Sequence, residues 1–155
     1  MVDVLGDLAH AIDALCAADL SSVADGESIV ALHRQLERLE AVATRAATNF
    51  DAGGSWEADG ARSAAAWLAR RCRLPLPAGQ RRVRLGRDLR HMAAVEAAWL
   101  AGDIGGAQVS QLAATRTPGP SACFERDQAE LVDGNGRVAC GHHNRLRHRP
   151  DRPSP

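Results

Sequence analysis

Ile29, Leu32, Leu36, Leu39, Ala43, Ala46 and Phe50 follow one another at steps of three, four, three, four, three and four residues. Only an α-helix brings side chains at that spacing onto one face, because a strand repeats every second residue. The stripe stops at Gly53-Gly54, where two glycines end a helix readily. A helix of this length has to cover its stripe. Two covers are open to it: a first helix carrying Leu5, Leu8, Ile12 and Leu15 at helical spacing, or the same stripe of a second copy. Residues 21–26 interrupt the two patterns, and Asp25 stands where an N-cap is needed. His33 and Glu37 lie one turn apart on the long helix, as expected of a solvated face.

Beyond the glycine pair the pattern stays helical. Asp59 can cap a helix over residues 61–73, which Leu74-Pro75-Leu76-Pro77 stops. A second helix is expected over residues 78–100, with Leu85, Leu89, Met92 and Trp99 on one stripe and Arg84, Arg87 and Arg90 on the other side. Gly102-Asp103 turns the chain into a short helix over residues 107–116, and Thr117-Pro118-Gly119-Pro120 reads as a linker. Aromatic residues make up only 3% of the chain, so the core has to be built from Leu, Val and Ala, which favours closely packed helices over a sheet. The expected fold is therefore all-α: a helical bundle over residues 1–116 with Trp67 and Trp99 in its core, a linker over 117–134, and a flexible tail over 135–155.

The formal net charge is zero, yet the charges are segregated. Residues 1–60 hold eleven acids against three arginines, a net charge of −8, and residues 62–90 hold nine arginines against Asp88, a net charge of +8. The next block, 91–136, carries −4 and the last, 137–155, carries +4. Such blocks either present an anion-binding surface or neutralise each other within the fold. All 19 basic residues are arginine, which a GC-rich genome explains as well as a functional demand does.

Two helices joined by a short turn, with arginines on the second, have the outline of a helix-turn-helix. In that reading Arg81, Arg82, Arg84, Arg87 and Arg90 grip the phosphate backbone, giving salt-sensitive, sequence-blind contact with DNA. Arg62, Arg70, Arg71 and Arg73 widen the basic surface. An Ala-rich bundle with arginines on its wet face produces the same outline, and no Asn or aromatic side chain is interleaved to read bases.

The tail runs Asn135-Gly136-Arg137-Val138-Ala139-Cys140-Gly141-His142-His143-Asn144. Cys140 and His143 have the spacing of two ligands of a tetrahedral zinc site. The other pair has no source, since Cys16, Cys72 and Cys123 stand alone. The stretch resembles the end of the His-Asn-His (HNH) nuclease motif, with Asn135 at the middle Asn, Cys140 and His143 at the structural zinc pair, and Asn144 where the terminal metal ligand belongs. The opening half of that motif, which supplies a general-base His, has no counterpart, because no His lies between Met92 and Gly141. The run Asp51-Ala52-Gly53-Gly54-Ser55-Trp56-Glu57-Ala58-Asp59-Gly60-Ala61-Arg62-Ser63-Ala64-Ala65-Ala66-Trp67-Leu68-Ala69, with the Arg-rich helix after it, resembles actinobacterial proteins of the 13E12 repeat family. Their N-terminal domain is a domain of unknown function, numbered 222, and an HNH module often follows it. The resemblance implies a family member with a truncated nuclease end.

Without a base to activate water and a full ligand set, hydrolysis is not expected of this chain alone. The leading expectation is a non-catalytic, nucleic-acid-associated helical module. One alternative is an HNH-type endonuclease completed by a partner chain. The other is a helical interaction domain that uses the Ile29 to Phe50 seam, with a second copy as a possible partner. No cofactor is expected, and zinc or another divalent metal enters only if another chain completes the site. No apolar run reaches membrane length and no charged start precedes an apolar stretch, so the expected location is the cytoplasm and the cysteines are expected as thiols.

Overall fold

The computed structural model describes residues 3–115. Among them it forms six α-helices and no strand: α1 (Val4–Ala17), α2 (Gly26–Gly53), α3 (Ala64–Arg71), α4 (Leu76–Leu89), α5 (Ala93–Ala101) and α6 (Gly106–Thr115), with a 3-10 turn at Leu20–Val23 between α1 and α2. The all-α expectation holds. The chain divides into two units, Met1–Gln35 and Leu36–Pro155.

In the first unit each helical start is held by an aspartate. Asp3 accepts from the Gly6 amide at 3.0 Å, Asp19 from the Ser21 amide at 2.9 Å, and Asp25 from the Ser28 amide at 2.9 Å. Each side chain thereby satisfies an amide that has no carbonyl partner in its own helix. Asp25 is the cap its position predicts, and Ser28 returns a hydroxyl hydrogen bond to it. These three bonds fix the ends of elements and bury nothing: no residue from Asp3 to Gln35 is buried.

The second unit holds the core, in two clusters. One gathers Ala41 of α2, Leu89, Met92, Val95 and Trp99 around α4 and α5, and Val109 and Leu112 of α6. The other gathers Ala47 of α2, Ala64, Ala65 and Leu68 of α3 and Val83 of α4, with Phe50, Trp56 and Trp67 packed at its edge. Trp99 is fully buried, whereas Trp67 is only partly covered. Its ring stacks at a tilt on Phe50, with centroids 4.6 Å apart, and its indole N–H donates to Asp59 at 2.6 Å.

The expected helix over 61–73 is shorter, and Ser63 caps it by accepting from the Ala66 amide at 3.1 Å. Asp59 is occupied by Trp67 instead. The expected helix over 78–100 is two helices. The amides of His91 and Met92 bond back only three residues, to Asp88 and Leu89, and that tightened turn re-aims the chain so that Met92 and Trp99 enter one core. Neither Gly nor Pro marks the break.

The face of α2 that enters the core also differs from expectation. Its buried residues are Ala41, Thr44, Ala47 and Thr48, about 100° around the helix from the leucine stripe at 100° per residue. Small residues win there because α4 comes close. A methyl group at Gly86 would overlap the Thr48 hydroxyl and sit 3.2 Å from the Thr44 carbonyl, and one at Gly79 would sit 2.7 Å from the Ala65 carbonyl of α3. Ile29, Leu32, Leu36 and Leu39 remain exposed, while Phe50 packs at the edge of the second cluster.

Candidate nucleic-acid interface

The turn over residues 72–75 joins α3 to α4 at a close crossing. Arg73 there takes a left-handed conformation, φ 55°, which lets the Leu74 amide reach back to the Ala69 carbonyl at 3.0 Å and close α3. Pro75 and Pro77 then start α4, where a missing amide hydrogen costs nothing. Gly79, Val83, Gly86 and Leu89 are the buried side of α4. Gln80, Arg81, Arg84 and Arg87 are left on its exposed side.

The five arginines singled out from the sequence fall into two sets. Arg82 is ion-paired with Glu40 of α2. Arg87 holds Asp51 through two hydrogen bonds, 2.8 and 2.9 Å, and this pairing raises the guanidinium above its ordinary pKa, mainly through the hydrogen bond and then through the charge of Asp51. Arg90 donates to the Thr48 carbonyl at 3.3 Å. These three tie α4 to α2, so part of the basic block is neutralised within the fold. Arg81 and Arg84 are exposed and have no ion pair or hydrogen bond among the described residues.

Two clefts adjoin that pair. One, of about 390 Å³, lies between Glu40 and Thr44 of α2, Arg81, Arg82 and Leu85 of α4, and Ser110 of α6. The other, of about 340 Å³, is lined by Arg81, Arg84, Leu85, Asp88, Ser110 and Ala113. They share Arg81, Leu85 and Ser110, forming a groove along α4 and α6 with an aliphatic floor and cations on its rim. Of the wider basic set, Arg70 donates to the Asp59 carbonyl at 3.2 Å and Arg71 lies 5.9 Å from the Trp67 ring centroid.

Sequence reasoning missed the part played by α2 in this arrangement. Glu37, assigned to a solvated face, accepts from the buried Trp99 indole at 3.0 Å and from the Gly106 amide at 2.7 Å. It thus holds the start of α6, one wall of the groove, with a negative charge where a helix start favours one. Glu40 and Asp51 likewise act as anchors for arginines. Their only sequence signal was the charge segregation, since the partners lie 36 to 69 residues apart.

Among the described residues no group of three or more His, Cys, Asp or Glu side chains is placed to hold a metal ion. Asn135, Cys140, His143 and Asn144, the residues that resemble the end of a nuclease motif, lie outside the described residues, as does the expected linker over 117–134. Cys16 and Cys72 are free and exposed. No helix among the described residues is long and apolar enough to cross a membrane.

The described elements define an all-α module in which α3 and α4 pack closely, with a partly neutralised arginine face on α4 beside a groove. By sequence, the chain belongs to the family described as Domain of unknown function (DUF222), whose model matches residues 27–147, from the first turn of α2 through α6 and past the described residues. Neither a curated protein nor a solved structure matches it.

Proposed function

We propose that the protein is a non-catalytic helical module that associates with nucleic acid through the exposed side of α4. The observation that carries this reading is the division of the arginines: Arg82, Arg87 and Arg90 are engaged with α2, and Arg81 and Arg84 stand exposed at the groove with no partner among the described residues. Guanidinium groups in that setting bind phosphate oxygens in a forked geometry. With two such groups, Gln80 beside them and the Asp88 carboxylate lining the same cleft, contact is with the backbone, so binding is weak and indifferent to sequence. The nuclease-like tail is read as lacking catalysis, since no His precedes it within the span that would supply the base.

Retention of duplex DNA measured against salt tests this. Neutralising about two phosphates gives a slope of roughly −2 in log affinity against log salt. Replacing Arg81 and Arg84 with Ala should abolish low-salt retention for every sequence, and replacing Arg87 and Arg90, already tied to α2, should reduce it less. Equal losses from the two pairs, or no retention by the parent at low salt, would refute the reading. Plasmid cleavage with added magnesium or zinc would refute the non-catalytic part.

The exposed leucines of α2 favour a second reading, a helical interaction module.

A further inference from the structure

We propose that the groove along α4 and α6 is a docking site for the chain's own acidic segment, residues 121–133, held there by two arginines and an apolar floor. The inference concerns the same surface as the nucleic-acid reading but stands without it, and its test contains no nucleic acid. Duplex DNA that meets Arg81 and Arg84 does so by displacing the segment.

The groove offers two kinds of contact. Its floor is apolar: Leu85 and Ala113 pack against the core cluster yet remain half-buried. Its two clefts, about 340 and 390 Å³, fall in the range of roughly 300–1,000 Å³ typical of pockets that hold a bound group. Its rim is charged, with Arg81, Arg82 and Arg84 against Glu40 and Asp88. Arg82 and Glu40 satisfy each other, so Arg81 and Arg84 face the single carboxylate of Asp88. The occupant that suits such a surface carries apolar side chains among several acids.

Residues 121–133 have that composition. Phe124, Leu131 and Val132 stand among Glu125, Asp127, Glu130 and Asp133, with Arg126 the one cation, for a net charge of −3. The chain leaves α6 at the groove itself, since Ala113 and Ala114 line it and Thr115 ends the helix. Phe124 follows Thr115 by nine residues, which span at most roughly 30 Å, whereas α4, with 14 residues, is about 21 Å long. The segment therefore reaches any point of the groove. Tethering gives it an effective concentration on the order of millimolar, which a partner in solution has to exceed. The family model points the same way, because its match does not stop at α6 but runs on to residue 147. The basic stretch over residues 137–155 also complements the segment in charge. It offers only Val138 and Leu146 as large apolar residues, so it lacks the floor that Phe124, Leu131 and Val132 require.

Hydrogen exchange of the full chain, read by mass spectrometry, tests the proposal. Amides over residues 121–133 should exchange at least about tenfold more slowly than in an unstructured peptide. Arg81→Gln with Arg84→Gln, on exposed side chains, should return them to the unprotected rate while the amides of α6 stay protected and the circular dichroism is unchanged. Phe124→Ser with Leu131→Ser, outside the described helices, should do the same from the other side of the contact. Free exchange of the segment in the parent overturns the proposal, as does protection that survives either pair of substitutions. Protection lost only when Arg145, Arg147 and Arg149 are replaced with Gln assigns the segment to the basic end of the chain and overturns it too.

Discussion

Glu37→Ala should cost far more stability than a substitution on a solvated helix face. The carboxylate accepts from the Trp99 indole at 3.0 Å and the Gly106 amide at 2.7 Å, and Trp99 is 1% exposed. A hydrogen bond to a charged group contributes about 1.5–3 kcal/mol, and an orphaned buried donor costs about 1–3 kcal/mol. Glu37 is itself half-buried, so water can partly replace it at Gly106, and the low end of both ranges applies, about 2.5 kcal/mol in total. Loss of a negative charge at the start of α6 adds about 0.5 kcal/mol at most. Glu37→Gln keeps one oxygen acceptor and should cost about 1 kcal/mol, the charge assistance alone. Urea unfolding followed by circular dichroism measures both. Indole fluorescence of the folded Glu37→Ala protein should shift to the red as Trp99 loses its partner. In a double-mutant cycle, Glu37→Ala with Trp99→Phe should show a coupling of about 1–2 kcal/mol. A cost below about 0.5 kcal/mol, the level of an ordinary surface change, would show that the Glu37 clamp adds nothing. Equal costs for Ala and Gln would show that its acceptor oxygens are irrelevant.

Gly86→Ala reverses a usual sign: Ala in a helix interior normally gains about 0.5–1 kcal/mol over Gly, but here the methyl meets Thr48 and the Thr44 carbonyl, so a loss of about 1–3 kcal/mol is expected, and a gain on thermal melting would contradict the close packing of α4 on α2. Arg73→Gly should stabilise by about 1 kcal/mol, because Arg73 holds a left-handed backbone conformation that glycine adopts freely; an unchanged midpoint in urea would argue against that turn. Asp25 is held below the ordinary carboxylate range, first by the Ser28 hydroxyl and then by the Ser28 amide. Its cap is therefore present at neutral pH and lost as pH falls through that lowered value, so the helicity difference between the parent and Asp25→Ala should be constant at neutral pH and vanish in strong acid.

What the sequence disclosed and what it hid divide along a physical line. Local chemistry was legible: Asp25 caps α2, Gly53 ends it, Leu74-Pro75 separates α3 from α4, and Gly102 turns the chain in a left-handed conformation at the end of α5. Each of these depends on residues within a turn of one another. The α4–α5 break was hidden because its cause is the core that receives Met92 and Trp99, with no Gly or Pro to announce it. The buried face of α2 was hidden for the opposite reason to the usual one. Periodicity weights large side chains, and α2 enters the core through Ala41, Thr44, Ala47 and Thr48 because α4 approaches through Gly86. Of the large residues it pointed to, Ile29, Leu32, Leu36 and Leu39 are left exposed, and Phe50 packs at the edge of the core.

The same line runs through the candidate site. Arginines on α4 could be placed from spacing alone, and their assignment to one class could not. Arg82 and Arg87 differ from Arg81 and Arg84 only in what α2 sets opposite them, Glu40 and Asp51, residues that belong to the acidic block of the sequence. The opposed charge blocks thus have two roles in one helix. One face of α4 uses its cations to fasten α2, and the adjoining face leaves two of them exposed. Because the fastening cations are committed, nucleic acid contact through α4 would rest on Arg81 and Arg84, and strengthening it means adding charge along that strip. Gln80→Arg is the substitution the geometry favours: Gln80 is exposed one position before Arg81, its side chain bonds nothing among the described residues, and a third phosphate contact there should steepen the salt slope by about one unit.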